Sequence, residues 1–489
     1  ALCKKNGLNK NLKIMSAFFA LLYISFSRTY WTESISAEVY ILHILAITSM
    51  LELMLFDNLI SNKPVLYSTT AGIIAGISFS NHSSIIFIIP VFIITLMLRT
   101  KKLKHILIFI LMAVMVWLIF NLDMMMRAKS NPELNLGNPS DIKSLVKTVT
   151  MSQYKNLVKY PLFNNAKINF LKNNFNNEFD YIFLIISLAG FVFIQKLSKK
   201  IFVILFSVFV VFGISIFGFY RQVSYEAVLE TIYVFFLPLY VILTISFGYG
   251  LYVIFSYFFS TGIFLKKLTG ATLLIVLTLM LIINFTENFN YNNMRDIDIC
   301  DLYTEDILNE TGKNGILLTD DDNIVYSIWY NQMVLKRYRD RLVIHPELLK
   351  TKWFLKTDAR KLSDISEYID KFRNNISVIA FTDKLKQSTQ GRSLFGLTDK
   401  MVIENNMHLT NFEGYNIIDK IKKYKYSAFY NKKVYYILKH YSIAYTVKGI
   451  LYARNKQFKN AEKCFLNALE CDGDNIDAKR NLMLVKKEN

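Results

Sequence analysis

The chain has 489 residues, more than one core usually organises, so two or three domains are expected. Apolar residues make up 53% and charged residues 19%, and the apolar excess is uneven: 106–122 and 273–285 carry almost no charge, while 290–489 reads like an ordinary soluble domain. The formal charge of +19 invites a nucleic-acid partner, but the positions of the lysines argue against one.

In the first half those lysines gather at the ends of hydrophobic segments: Lys4, Lys5, Lys10 and Lys13; Lys101, Lys102 and Lys104; Lys196, Lys199 and Lys200; Lys266 and Lys267. That is the pattern of topology charge on the cytoplasmic side of a membrane. In the second half lysine is scattered, without aromatic interleaving. Cys3, Cys300, Cys464 and Cys471 form no CxxC pair and no metal-ligand spacing. Cys464 and Cys471 sit seven apart on one predicted helix, which points to packing. The chain opens at Ala1 on a lysine- and asparagine-rich stretch that is no signal peptide, and upstream sequence is expected.

A helix rises about 1.5 Å per residue, so roughly 20 apolar residues cross a bilayer core. Nine candidate spans follow, at about 14–30, 38–56, 65–80, 84–98, 105–122, 180–195, 201–219, 231–257 and 268–286. The run 65–98 is split because Ser78, Ser80, Asn81, His82, Ser83 and Ser84 make its middle too polar for lipid. With the lysine-rich start in the cytoplasm, every lysine cluster of the membrane region falls inside, and everything after residue 286 falls outside.

The same threading places the unusual polar residues on one outer face. Arg28, Glu33 and Glu38 lie at the first hairpin, and Asn81 and His82 at the next turn. Asp123, Arg127 and the long loop 123–179 follow, and then Arg221, Glu226 and Glu230. Ionisable residues at membrane depth usually mark a site. The bland alternative is that outer loops are polar by necessity, that Arg28 and Arg127 snorkel to head groups, and that His82 is a hydrogen-bonded turn residue.

Past residue 290, strands and helices alternate: a strand at Gly315–Thr319, a helix from Ile324 to about Lys336, strands at Arg341–His345 and Ser377–Thr382, and an amphipathic helix near 364–373. Asp320, Asp321 and Asp322 between the first strand and helix suit either a divalent cation or a helix cap, and the cap is favoured. Near the end, Tyr445, Gly449, Tyr452, Ala461, Phe465 and Ala468 fall on the spacing of a tetratricopeptide repeat, with flanking helices expected near 422–440 and 474–487. Such helices bind protein partners on a concave face, and a purely structural cap is the equal alternative. The expected domains are 1–289 in the membrane, 290–421 as an α/β domain and 422–489 as repeat helices.

Several strings taken together resemble a family of multi-spanning protein O-mannosyltransferase-like proteins of the GT-C glycosyltransferase class. They are Tyr30–Trp31–Thr32–Glu33 with Ala37–Glu38–Val39–Tyr40, Gly76–Ile77–Ser78 with Asn81–His82, and Arg127–Ala128 with Asn131–Pro132. Further on come Asn135, Gly137–Asn138–Pro139, Gln153–Tyr154, Tyr233 with Leu237–Pro238, Asp322–Asn323, Trp329–Tyr330 with Gln332, and Leu348–Leu349 with Trp353. The ordered set carries the resemblance from about 20 to 355. Leu136 stands where the family has Trp, and Ile324 where it has a second acidic residue. The resemblance also implies that the chain begins after the family's first outer loop, whose acidic residue is the catalytic base, so that this chain by itself transfers no sugar.

The fold it implies is mainly α: a polytopic GT-C-like helix bundle, then a small extracytoplasmic α/β domain and a tetratricopeptide hairpin. The chemistry it implies is transfer of a sugar, mannose or similar, from a polyisoprenyl-phosphate carrier to an acceptor hydroxyl, protein Ser or Thr, outside the membrane. A carboxylate must take the acceptor's proton, and a cation must hold the phosphate. Glu38 is the membrane-edge carboxylate expected to help, and His82 a neutral or charged donor. Arg28, Arg127 and Arg221 are the phosphate candidates, with Asn81, Asp123, Asn138, Gln153 and Tyr154 completing the expected site. The partners are then membrane lipid, the lipid-linked sugar and an acceptor protein or glycan. The Lys/Asn/Ile-rich composition suggests a bacterial cytoplasmic (inner) membrane. A non-catalytic membrane-anchored scaffold for envelope assembly is the rival reading, and it leaves the clustered polar residues unexplained.

Overall fold

The structure, a computed structural model, describes residues 10–55, 62–150, 168, 178–220, 230–260, 263–293, 295, 297–349, 376–380, 393–394, 396–400, 414–425 and 432–488. The chain divides into two compact units, one of Ala1–Met126 with Leu145–Asn292, the other of Arg127–Ser144 with Asn293–Asn489.

In the first unit a helix occupies each expected span: α1 Lys10–Ser25, α3 Tyr40–Leu55, α4 Pro64–Asn81, α5 Ile89–Thr100, α6 Leu103–Lys129, α7 Tyr181–Leu197, α8 Lys199–Tyr220, α9 Leu237–Phe259 and α10 Phe264–Asn292. By length and composition, five described segments can cross a membrane: Ser83–Thr100, Leu103–Lys129, Lys199–Ile216, Tyr233–Phe259 and Phe264–Asn292. The chain is thus a mainly helical, polytopic membrane protein. The central segment Tyr233–Phe259 is 83% buried, against 17% for Phe264–Asn292. Leu107, Leu111 and Ile119 on α6, and Ile275, Leu279 and Ile283 on α10, are exposed. In water such faces would aggregate, and in lipid they need no cover.

The helices of this bundle meet through small residues. A Cβ on Gly190 of α7 would collide with the Ser246 carbonyl oxygen of α9, and one on Gly250 would stand 2.5 Å from the Ile186 oxygen. Lipid tails are as apolar as the side chains, so close backbone approach is what holds such a pair. Tyr23 of α1, Phe183 of α7 and Phe247 of α9 pack on one another and join the three helices.

Two boundaries differ from the expectation. The first span ends at Ser25, because the Ser27 hydroxyl donates to the Ile24 carbonyl at 2.8 Å and a separate short helix, α2 (Arg28–Ile35), begins. It meets α3 at a bend of 116°. The last span is extended to Asn292 by Asn284, Asn288 and Asn292, which lie one turn apart: the Asn288 amide donates to the Asn284 side chain, and the Asn292 amide to the Asn288 carbonyl at 2.9 Å.

Among the described residues, the second unit contains a five-stranded sheet of order β2-β1-β3-β5-β4. Its parallel part is β1 (Ile316–Thr319), β2 (Leu342–Ile344) and β3 (Ile376–Ile379); β4 (Ser393–Leu394) and β5 (Asp399–Lys400) add an antiparallel edge. All four residues of β1 are buried, as a central parallel strand requires. The acidic cluster caps: Asp321 accepts the Asn323 amide at 2.8 Å at the start of α12 (Asp322–Trp329). A π-helical turn, Tyr330–Val334, follows. The amphipathic helix expected near 364–373 lies outside the described residues.

Beyond the sheet come α13 (Ile421–Lys425), α14 (Lys432–Arg454), α15 (Phe458–Cys471) and α16 (Ile476–Glu488). A Cβ on Gly449 would stand 2.5 Å from Phe465, so the small residue does admit the ring between α14 and α15. Cys464 and Cys471 are buried in the same core. That core runs without interruption from α11 (Ile299–Thr311) and the sheet through Tyr424, Tyr441 and Phe465, across the expected boundary at 421/422.

Candidate functional site

Of the polar residues expected on one face, Asn81 and His82 stand at the end of α4, beside the α2–α3 bend. The end of α4, the start of α3 and the start of α9 enclose a small recess lined by Tyr40, His43, Ile44, His82, Ser84, Phe212, Ser215, Val234, Phe235 and Pro238. The polar run that split 65–98 builds it. Helix α4 stops at His82, whose amide still bonds to the Ser78 carbonyl at 2.7 Å. The chain then turns through Ser83–Phe87, and Pro90 opens α5. The Asn81 amide donates to the Val39 carbonyl at 2.8 Å and ties this corner to the α2–α3 bend.

A line of hydrogen-bonding groups runs through the recess wall. His43 Nδ1 lies 3.3 Å from Ser78 Oγ, and His43 Nε2 lies 2.6 Å from Ser84 Oγ. Ser84 Oγ lies 2.8 Å from His82 Nδ1, which also accepts the Ser84 backbone N–H at 3.3 Å. Ser78, His43 and Ser84 are buried. The His43 and His82 rings are 4.9 Å apart, and the His82 ring lies 5.4 Å from Tyr40 and 6.0 Å from Phe235.

A second cluster joins α2 to α10. The Arg28 Nε donates to Asn288 at 3.4 Å, and its guanidinium lies 4.3 Å over the Tyr291 ring. The Asn288 amide donates to the Phe26 carbonyl at 2.7 Å, and the Thr32 hydroxyl donates to Asn292 at 2.8 Å. Thr29 gives its backbone N–H, at 3.0 and 3.1 Å, and its hydroxyl to the Glu178 carboxylate. Burial pushes that carboxyl up to about 7, against the pull of Thr29 and of the Arg28 charge. Trp31 packs with Phe26, Phe285 and Phe289, a group suited to a membrane–water boundary.

Of the expected site residues, His82, Asn81 and Arg28 are therefore built into this end of the first unit. Glu38 is exposed beside the same bend, while Glu33 is buried. Asp123 lies one helical turn before Arg127, near the end of α6; Arg127 is exposed and belongs to the second unit. Asn138 sits in a turn at φ 40°, where its side-chain oxygen accepts the Asn135 amide at 3.0 Å. Gln153, Tyr154 and Arg221 lie outside the described residues. Among the described residues, no group of three or more His, Cys, Asp or Glu is placed to hold a metal ion.

The sequence reading did not pick out His43, Ser84, Glu178, Asn288 or Asn292. His43 carried a usable signal, since an ionisable residue inside an apolar span is rare without a role. Asn284, Asn288 and Asn292 carried another, in their four-residue spacing. Glu178 carried none, because its partner Thr29 is 149 residues away.

Comparison with protein families finds two matches. Residues 2–106 match a domain described as the protein O-mannosyl-transferase TMEM260 N-terminal domain, and residues 300–475 match TMEM260-associated domain 2. The first holds α1 to α5 and both histidines of the recess, and the second runs from α11 past the end of α15. Together they take in more than half of the chain. No curated protein and no solved structure matches it.

Proposed function

The chain belongs to the TMEM260-type, protein O-mannosyltransferase-like family, and from that premise we propose that it is a membrane glycosyltransferase that takes mannose or a similar sugar from a polyisoprenyl-phosphate carrier. The acceptor is a hydroxyl, of protein Ser or Thr, on the extracytoplasmic side of the cytoplasmic membrane. The observation that carries this reading is the two-sided wall of the recess. Ile44, Phe212, Val234, Phe235 and Pro238 offer apolar surface, and Tyr40, His43, His82 and Ser84 offer hydrogen-bonding groups, at the end of a lipid-facing bundle. A lipid-linked sugar phosphate needs both surfaces in one place, its polar head held while its tail stays in lipid.

In this reading His82 donates to the sugar-phosphate head, and Arg28, on the neighbouring cluster, supplies positive charge for the leaving phosphate. Among Glu33, Glu38 and Glu178, Glu38 is the exposed carboxylate that an arriving acceptor hydroxyl can reach, since Glu178 is held by Thr29 and Glu33 is buried. The second unit, with its helical hairpin, is a platform for the acceptor protein.

Titration of the chain in nanodiscs with polyisoprenyl-phosphate mannose, against the same carrier without sugar and against soluble mannose phosphate, tests the reading. Saturable binding that needs both sugar phosphate and lipid tail is expected. Equal affinity for all three, or for none, would overturn it.

A further inference from the structure

The four side chains Ser78, His43, Ser84 and His82 form one file, and the polar atoms along it admit a consistent direction of donation. The Ser84 backbone N–H points at His82 Nδ1 from 3.3 Å, a long bond that favours a bare Nδ1 without fixing it alone. The Ser84 hydroxyl then donates its single hydrogen to His82 Nδ1. With that hydrogen committed, Ser84 Oγ faces His43 Nε2 as an acceptor, and His43 Nε2 must bear the proton. His43 Nδ1 is left bare and accepts the Ser78 hydroxyl. The reverse direction would put a proton on His82 Nδ1, pointing at the Ser84 N–H.

Two donors facing each other in a buried wall are disfavoured, because each buried donor needs an acceptor. We propose that His43 and Ser84 are positioning residues that fix His82 as the neutral Nε2–H tautomer, so that its N–H, which has no partner among the described residues, is a permanent donor to an anionic oxygen of a molecule in the recess. The proposal rests on the reading of the recess as a sugar-phosphate site and narrows it: His82 binds the phosphate head or its bridging oxygen as a donor, and does not take the acceptor's proton. The file also explains why a histidine sits inside the apolar helix α3. Its two nitrogens, one accepting and one donating, are both used within the wall.

Nitrogen-15 spectroscopy on histidine-labelled chain in nanodiscs reads the tautomer directly and needs no donor substrate. The wild type is expected to show His82 with a bare Nδ1 and a protonated Nε2. Ser84→Ala and His43→Phe should turn that signal into a mixture of tautomers, while Ser84→Thr, which keeps the hydroxyl, should restore it. In parallel, Ser84→Ala should weaken binding of polyisoprenyl-phosphate mannose several-fold, with Ser84→Thr recovering most of it.

A His82 protonated on Nδ1 in the wild type would overturn the inference, as would an unchanged signal in Ser84→Ala. Should Ser84→Ala fail to fold, the wild type and Ser84→Thr still decide it. Failure of the wild type to bind any lipid-linked sugar, with the tautomer as stated, would count against the glycosyltransferase reading and not against the file.

Discussion

In the second unit the buried ionisable groups close on one another. Glu310 takes the Lys448 ammonium at 3.1 Å and the Tyr415 hydroxyl at 2.8 Å on one oxygen, and the Thr398 amide at 2.6 Å on the other. The Lys400 ammonium donates to the Glu310 carbonyl and to Ser377. The recess of the first unit is built from the same kinds of bond, but its file stops at His82 Nε2, which has no partner among the described residues. A buried polar network whose bonds all end inside the protein ties elements together. One that ends at a recess has a donor left for something else. On the proposed reading the first unit holds the site, and the second uses its polar groups to join α11 and the sheet to α14.

That contrast is broken most severely at Glu310. Glu310→Ala should leave the buried Lys448 ammonium unpaired and destabilise the second unit by about 3–5 kcal/mol. Replacing both partners, as Glu310→Leu with Lys448→Met, should recover most of the loss. Limited proteolysis of the full chain across a temperature series would read this in sites between 300 and 475. A single variant as stable as wild type would mean that the pair holds nothing together.

A pH series sharpens the same point. Burial raises the Asp306 carboxyl to about 6, against hydrogen bonds from Tyr441 and Asn416, and lowers His440 to about 4. Between pH 4 and 6 the folded chain keeps a proton on Asp306 that the unfolded chain has released, so this group's contribution falls as pH rises. Over the same range the unfolded chain protonates His440 and the folded chain does not, so that contribution rises with pH. The two slopes oppose each other in wild type. Asp306→Asn should expose the histidine slope alone, with stability increasing from pH 4 to 6.5 by about 3 kcal/mol at most. Stability that falls with pH in this variant would contradict the assignment.

Much of this architecture was legible in the sequence. Apolar run length located the helices of the first unit, and the lysine clusters marked the ends opposite to the polar ones. The split at Ser78–Ser84 was legible because too many polar groups stood together for lipid, and two of those residues, His82 and Ser84, proved to line the recess. Gly449 and Phe465 announced their own packing through size. What stayed hidden depended on long-range pairing. Glu178 meets Thr29, and Arg28 meets Asn288 and Tyr291, across separations that no local pattern records. Short polar turns were hidden as well: α1 ends at Ser25 because of one serine hydroxyl, not because the apolar run ends. His43 was overlooked because a single histidine in an apolar helix has no periodicity of its own.

Arg28 sharpens the comparison within the first unit. Arg28→Met should lose the stacking on Tyr291 and the bond to Asn288, for a destabilisation of about 2 kcal/mol in the thermal unfolding of the membrane unit. Arg28→Lys should not restore it, because a point charge neither stacks like the planar guanidinium nor forks. Full recovery with lysine would make Arg28 a head-group anchor only.

The claim that the recess receives a lipid-linked sugar phosphate is tested most directly by one binding measurement: the affinity of nanodisc-embedded chain for polyisoprenyl-phosphate mannose, wild type against His82→Ala. Loss of one hydrogen bond to a charged oxygen, at the lower end of the usual range, predicts about ten-fold weaker binding with folding unchanged. Equal affinity in the two proteins would remove His82 from the donor site and the recess from the account.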